Sequence, residues 1–100
     1  MILYNVTVNI DDSVHDEWLE WMRRVHVPDV MATGLFIESK IFRINNPKPE
    51  GGSSYSFQYF SDSMEKVNEY IEKFAPSLRE EHSKKYRDKF VAFRTVLELV

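Results

Sequence analysis

Odd and even positions separate at once in the first ten residues. Ile2, Tyr4, Val6, Val8 and Ile10 share one parity; Leu3, Asn5, Thr7 and Asn9 share the other. Strand side chains alternate between two faces, so this pattern predicts a half-buried, β-branched strand. Asp11-Asp12-Ser13 stops it, and Ser13 with Asp16 three residues on predicts a capping box for a helix. On a 100° wheel Trp18, Trp21, Met22 and Val25 share with Val14 an arc from about −20° to +80°, while Asp16, Glu17, Glu20, Arg23 and Arg24 occupy a separate arc from about 180° to 300°. The tryptophans therefore belong to a buried stripe. Val27 precedes Pro28, whose ring disfavours helical geometry there, so a bend or restart is expected, with Gly34 as a turn or C-cap.

Residues 35–44 alternate again, and 45–54 (NNPKPEGGSS) read as a loop. Residues 55–60 (YSFQYF) predict a strand with Tyr55, Phe57 and Tyr59 on one side. Asp62 and Glu65 predict a second capping box. Met64, Val67, Ile71, Phe74 and Leu78 then recur at helical spacing, with an interruption at Pro76 and a continuation to near Tyr86. Residues 89–100 predict the last strand. The order β-α-β-β-α-β, with right-handed crossovers, gives an α+β ferredoxin-like sandwich: a four-stranded antiparallel sheet with helices on one face, in one domain spanning 1–100.

Helices on one side leave the other face of the sheet bare. Asn5, Thr7 and Asn9 would occupy its centre beside Ser56 and Gln58. Phe36, Glu38, Lys40 and Phe42, or the alternate set Leu35, Ile37, Ser39 and Ile41, would border them. On the last strand the choice is Arg94 and Glu98, or Phe93, Thr95 and Leu97. A polar centre with apolar margins suits a homodimer built through this open face.

Composition narrows the function. The net charge of −3 and pI near 5.6 disfavour a nucleic-acid partner. The absence of cysteine excludes disulfides and thiolate chemistry. No secretory leader or membrane span is expected, so a soluble cytoplasmic protein without a membrane partner is the reading.

The motifs YNVT, W..WM....HVPDVM.TG.F, YSFQYF and KFVAFRTVLE resemble a family of short bacterial proteins catalogued as a domain of unknown function. The likeness covers almost the whole chain. More distantly, the strand order and length resemble the dimeric α/β-barrel superfamily, which includes cofactor-free and haem-degrading monooxygenases. That resemblance implies a homodimer and supplies no established activity.

Five residues stand out as candidates for ligand binding: Asn5, Trp18, Trp21, His26 and His82. His26 lies just before the Pro28 break, where a bend could open a pocket and an imidazole could act as acid, base or donor. Its plainer role is that of a half-buried histidine satisfying a carbonyl. His82 shares a line with Leu78 and Tyr86, and its plainer role is a boundary residue. His15 and His26 are about three turns apart, roughly 16 Å, and no histidine has a partner at ligand spacing, so no metal and no cofactor are expected. Trp18 and Trp21 would fill the core, or line a cavity for a small, largely apolar molecule. The alternatives are an interaction module, a cofactor-free monooxygenase using the same residues, or a haem-degrading one pairing Asn5 with His82. The last departs from the superfamily pattern, because both tryptophans lie on the first helix and the second offers the tyrosines Tyr70 and Tyr86 but no tryptophan. An RNA-recognition module would present Tyr55, Phe57 and Phe60 on its third strand, but lacks the preceding basic residue and glycine.

Overall fold

The computed structural model describes all of residues 1–100. The elements are β1 (Ile2–Ile10), a 3₁₀ turn (Asp12–Val14), α1 (His15–Trp21), a π-helical turn (Met22–His26), α2 (Val27–Met31), β2 (Glu38–Arg43), β3 (Ser53–Ser61), α3 (Met64–Lys73), α4 (Ala75–Lys85) and β4 (Phe90–Glu98). The strands form one antiparallel sheet in the order β2-β3-β1-β4. This is the expected ferredoxin-like topology, with β1 central and β4 at an edge.

Register assigns the two faces. Tyr4 stands opposite Tyr59 and Val96, while Asn5 stands opposite Gln58 and Thr95. The helices cover the face of Ile2, Tyr4, Val8 and Ile10, together with Tyr55, Phe57 and Tyr59 of β3; all are buried. Trp18, Met22, Val30, Phe36, Val67 and Tyr70 complete the core above them. Burying side chains of this size stabilises by about 1.5–3 kcal/mol each. Tyr55 and Phe57 thus lie under the helices, which removes the aromatic platform that RNA stacking would need.

The open face carries Asn5, Thr7, Ser56 and Gln58 as expected, joined by hydrogen bonds. Asn5 Nδ2 donates to Thr7 (3.0 Å) and Thr95 (3.2 Å), and Ser56 donates to Asn5 Oδ1 (2.5 Å). Gln58 donates to Ser56 (3.2 Å). Of the two parities left open, the register selects Glu38, Lys40 and Phe42 on β2, and Phe93, Thr95 and Leu97 on β4. Val91 (71% exposed) and Phe93 (62%) flank the polar centre, with Phe42 and Leu97 also exposed.

The helix ends depart from expectation. Asp11, not Ser13, caps the first helical turn, its carboxylate accepting from Ser13 N (2.8 Å). Ser63, not Asp62, caps α3, accepting from Lys66 N (3.2 Å). In each case the hydroxyl or carboxylate with extended backbone wins the N-cap position, where a side-chain oxygen reaches the next free amide.

The first helix does not break before Pro28. Instead the chain widens through a π turn, in which Val27 N–H bonds to Met22 O five residues back. Proline in a plain α-helix strikes the carbonyl four residues earlier, and the wider turn relieves that clash. The widening also changes which residues face inward. Trp18, Met22, His26 and Val30 recur at every fourth position and all turn toward the sheet; three are buried and His26 is half-buried. In a constant α-helix, twelve residues would accumulate about 120° of drift. Val25, expected on the buried stripe, is turned out and exposed for the same reason.

Candidate functional site

A cleft lies between the helices and the sheet on the β4 side. Its floor is Tyr4, Val6 and Val8 of β1 with Tyr59 of β3, and its walls are Met22, His26 and α4. Ala92 and Arg94 of β4 form the rim. The helices do not reach the far half of β4, so Arg94, Val96 and Glu98 are exposed and the cleft opens there. About 30 Å³ is free within it, room for one or two water molecules.

The two histidines meet here, 5.9 Å between ring centroids. The Trp18 indole N–H donates to His82 Nε2 at 2.9 Å. An imidazole nitrogen that accepts cannot carry the proton, so neutral His82 carries it on Nδ1. Burial lowers the His82 pKa to about 4, with His26 and Arg94 pushing the same way. Burial likewise lowers His26 to about 4, opposed by Asp29. Both rings are therefore neutral at pH 7. His26 Nδ1 is buried and has no hydrogen-bond partner. Trp21 packs over both rings, at 5.6 Å from His26 and 5.9 Å from His82.

Donors crowd the rest of the cleft. Arg79 donates to Tyr4 Oη at 3.1 Å. Burial raises the pKa of Tyr59 and of Tyr70, which keeps both hydroxyls protonated. Val6, Val8, Met22, Leu78 and Ala92 supply an apolar lining between these polar groups.

Of the five candidates, the structure brings His26, His82 and Trp21 together. Trp18 is fully buried behind them and acts on the cleft through His82. Asn5 is excluded from this group. It lies on the opposite face of the sheet, in the polar ladder, so one chain does not assemble the Asn5–His82 pair of a haem-degrading site. His82 is not a boundary residue either; at 6% exposure it is core. Arg79, Arg94, Tyr4, Tyr59 and Tyr70 were not among the candidates. Arg94 shares parity with Phe90 and Ala92, which is the only sequence signal that would have placed it on this face.

A second polar cluster lies at the other end of α1. Arg43 donates to Tyr55 Oη (2.7 Å), leaving the tyrosine proton for His15 Nε2 (2.5 Å), while His15 Nδ1 donates to Asp16 (2.7 Å). The hollow beside it is wide and carries Asp12 and Glu17 as well. No three His, Cys, Asp or Glu side chains cluster to hold a metal ion. No helix is long and apolar enough to cross a membrane.

Solved structures with this architecture are numerous at low identity. One, a protein of the ethyl tert-butyl ether D (EthD) family from Bacillus halodurans, superimposes with a TM-score of 0.72 at 13% identity, covering 100% of both chains. A dimeric ferredoxin-like protein from an uncultured marine organism gives 0.70 at 18% identity, covering 100% of this chain and 95% of that one. An antibiotic biosynthesis monooxygenase gives 0.66 at 13% identity, covering 100% and 99%. At such identities the likeness shows the fold. No curated protein matches the chain. A family model described as a domain of unknown function, DUF4286, matches residues 1–100.

Proposed function

We propose that this chain, which belongs over its whole length to the DUF4286 family, is a cytoplasmic homodimer that binds a small molecule in the cleft between helices and sheet. The observation that carries the binding reading is His26 Nδ1, a buried polar atom with no partner beside a cleft. Such groups are rare in folded proteins, and a ligand or ordered water that satisfies one is their usual explanation. Neutral histidines of strongly lowered pKa in a cleft point the same way.

The open sheet face supports the dimer. Two structural neighbours are described as dimeric ferredoxin-like proteins. Here Val91, Phe93, Leu97 and Phe42 leave apolar margins that a second sheet would cover. Sedimentation equilibrium tests this directly, with a dimer expected for the native chain. Phe93→Asp would bury a charge at the interface and weaken association by about 100-fold or more. A native chain that stays monomeric at high concentration would refute the dimer.

The cleft is tested by following the His26 and His82 imidazole signals by NMR during titration with small organic molecules, neutral and charged. Saturable shifts at both rings are expected. If neither ring responds while the protein remains dimeric, the dimer face is the function and the chain is an interaction module.

A further inference from the structure

Arg79 and Arg94 carry the only cations of the cleft lining, and no Asp or Glu lines it. The six ion pairs of the chain engage Arg24, His15 and four lysines, and neither of these arginines. Arg79 bonds only to the Tyr4 hydroxyl, and Arg94 makes no side-chain hydrogen bond. Around them stand tyrosine hydroxyls and the Nδ1–H of His82, whose other nitrogen is already taken by Trp18. The cleft is therefore rich in donors, carries two unneutralised guanidinium groups, and has an apolar floor. Guanidinium forks match carboxylates in geometry as well as charge.

We propose that the cleft binds a small organic carboxylate, its carboxylate between Arg79 and Arg94 at the rim and its apolar end against Val6, Met22 and Leu78. This rests on the small-molecule reading above and names the class of molecule. The roughly 30 Å³ free within the cleft admits the end of a short apolar tail in place of water. The carboxylate stays at the solvent-open end, so a longer acid could project outward past Arg94. The donor inventory favours an anion over a neutral amide of equal shape, because an amide NH₂ would face donors with a donor.

The test titrates the full-length protein with butyrate, butyramide and inorganic phosphate, reading imidazole and arginine side-chain NMR signals. Saturable binding of butyrate is expected, with butyramide at least about tenfold weaker. Arg79→Gln and Arg94→Gln should each weaken butyrate by about tenfold. Both side chains are exposed, so an unchanged thermal midpoint verifies that these variants fold. Equal binding of butyramide would overturn the carboxylate inference and leave the small-molecule site standing. Phosphate binding as tightly as butyrate would also overturn it, since the apolar floor would then contribute nothing. Silence from all three probes, in protein whose histidine signals respond to another small molecule, would overturn it too. Silence to every small molecule would refute the site itself.

Discussion

His82 decides more of this molecule than its sequence position suggests. Its Nε2 holds the Trp18 indole, and its ring faces Phe90 edge-on at 4.2 Å between centroids. Trp18→Phe would delete the donor, leave Nε2 unpaired in the core and open a small void. We expect a loss of about 2–4 kcal/mol in urea denaturation. Acid should act through the same ring. In the folded state His26 and His82 sit near 4, below the ordinary 6.5 of an exposed histidine. Between those values the unfolded chain binds more protons, so stability is full above about pH 6.5 and is lost as pH falls toward 4. The pair accounts for on the order of 3–5 kcal/mol over that window. His82→Gln should reduce the pH dependence of the denaturation midpoint; an unchanged slope would mean that His82 is not among its causes. None of this was legible in the line of Leu78, His82 and Tyr86 at every fourth position. The partner that makes His82 a core residue lies 64 positions away.

At the scale of elements, alternation and periodicity carried most of the information. The parity of β1 and β3 assigned both sheet faces, because a pleated strand with one buried side admits a single register. The first helix was read less well, since a wheel assumes a constant turn. The π turn breaks that assumption, and it places His26 at the cleft while it turns Val25 out. Deleting Val25 would tighten the helix to an ordinary pitch and set the Pro28 ring against a carbonyl. A cost of about 3 kcal/mol or more is expected, together with loss of the His26 imidazole signal from its buried environment. Capping is testable in the same way. Ser63→Ala should cost about 1 kcal/mol, whereas Ser13→Ala, away from a cap acceptor role, should cost less. Gly52 is a sharper case. Its φ is +65°, and an added Cβ would come within 2.4 Å of Ile10 O. Gly52→Ala should therefore destabilise by about 2 kcal/mol or more by disturbing the end of β1.

For the whole molecule, the sheet separates two surfaces: the helix-covered face with the cleft and the open face with the polar ladder. A dimer formed through the open face makes the thermal midpoint rise with protein concentration. Differential scanning calorimetry over a range of concentrations should show that rise, and Phe93→Asp should abolish it. The polar ladder of Gln58, Ser56, Asn5 and Thr95 would then sit at the centre of the interface, where its hydrogen bonds, already made within one chain, need little from the partner. The position of the cleft has its own consequence. Its mouth opens beside Arg94 on the side of the sheet away from the ladder, so pairing two sheets leaves both mouths facing outward to solvent. In a dimer paired through the open face, the two clefts would share no residue and would be separated by two thicknesses of sheet. A ligand in one cleft has no differential contact with the other, so titration should follow a simple hyperbola with a Hill coefficient of about 1. A departure from unity would mean that β1, which shows Val6 to the cleft and Asn5 to the partner, carries a shift from one face of the sheet to the other.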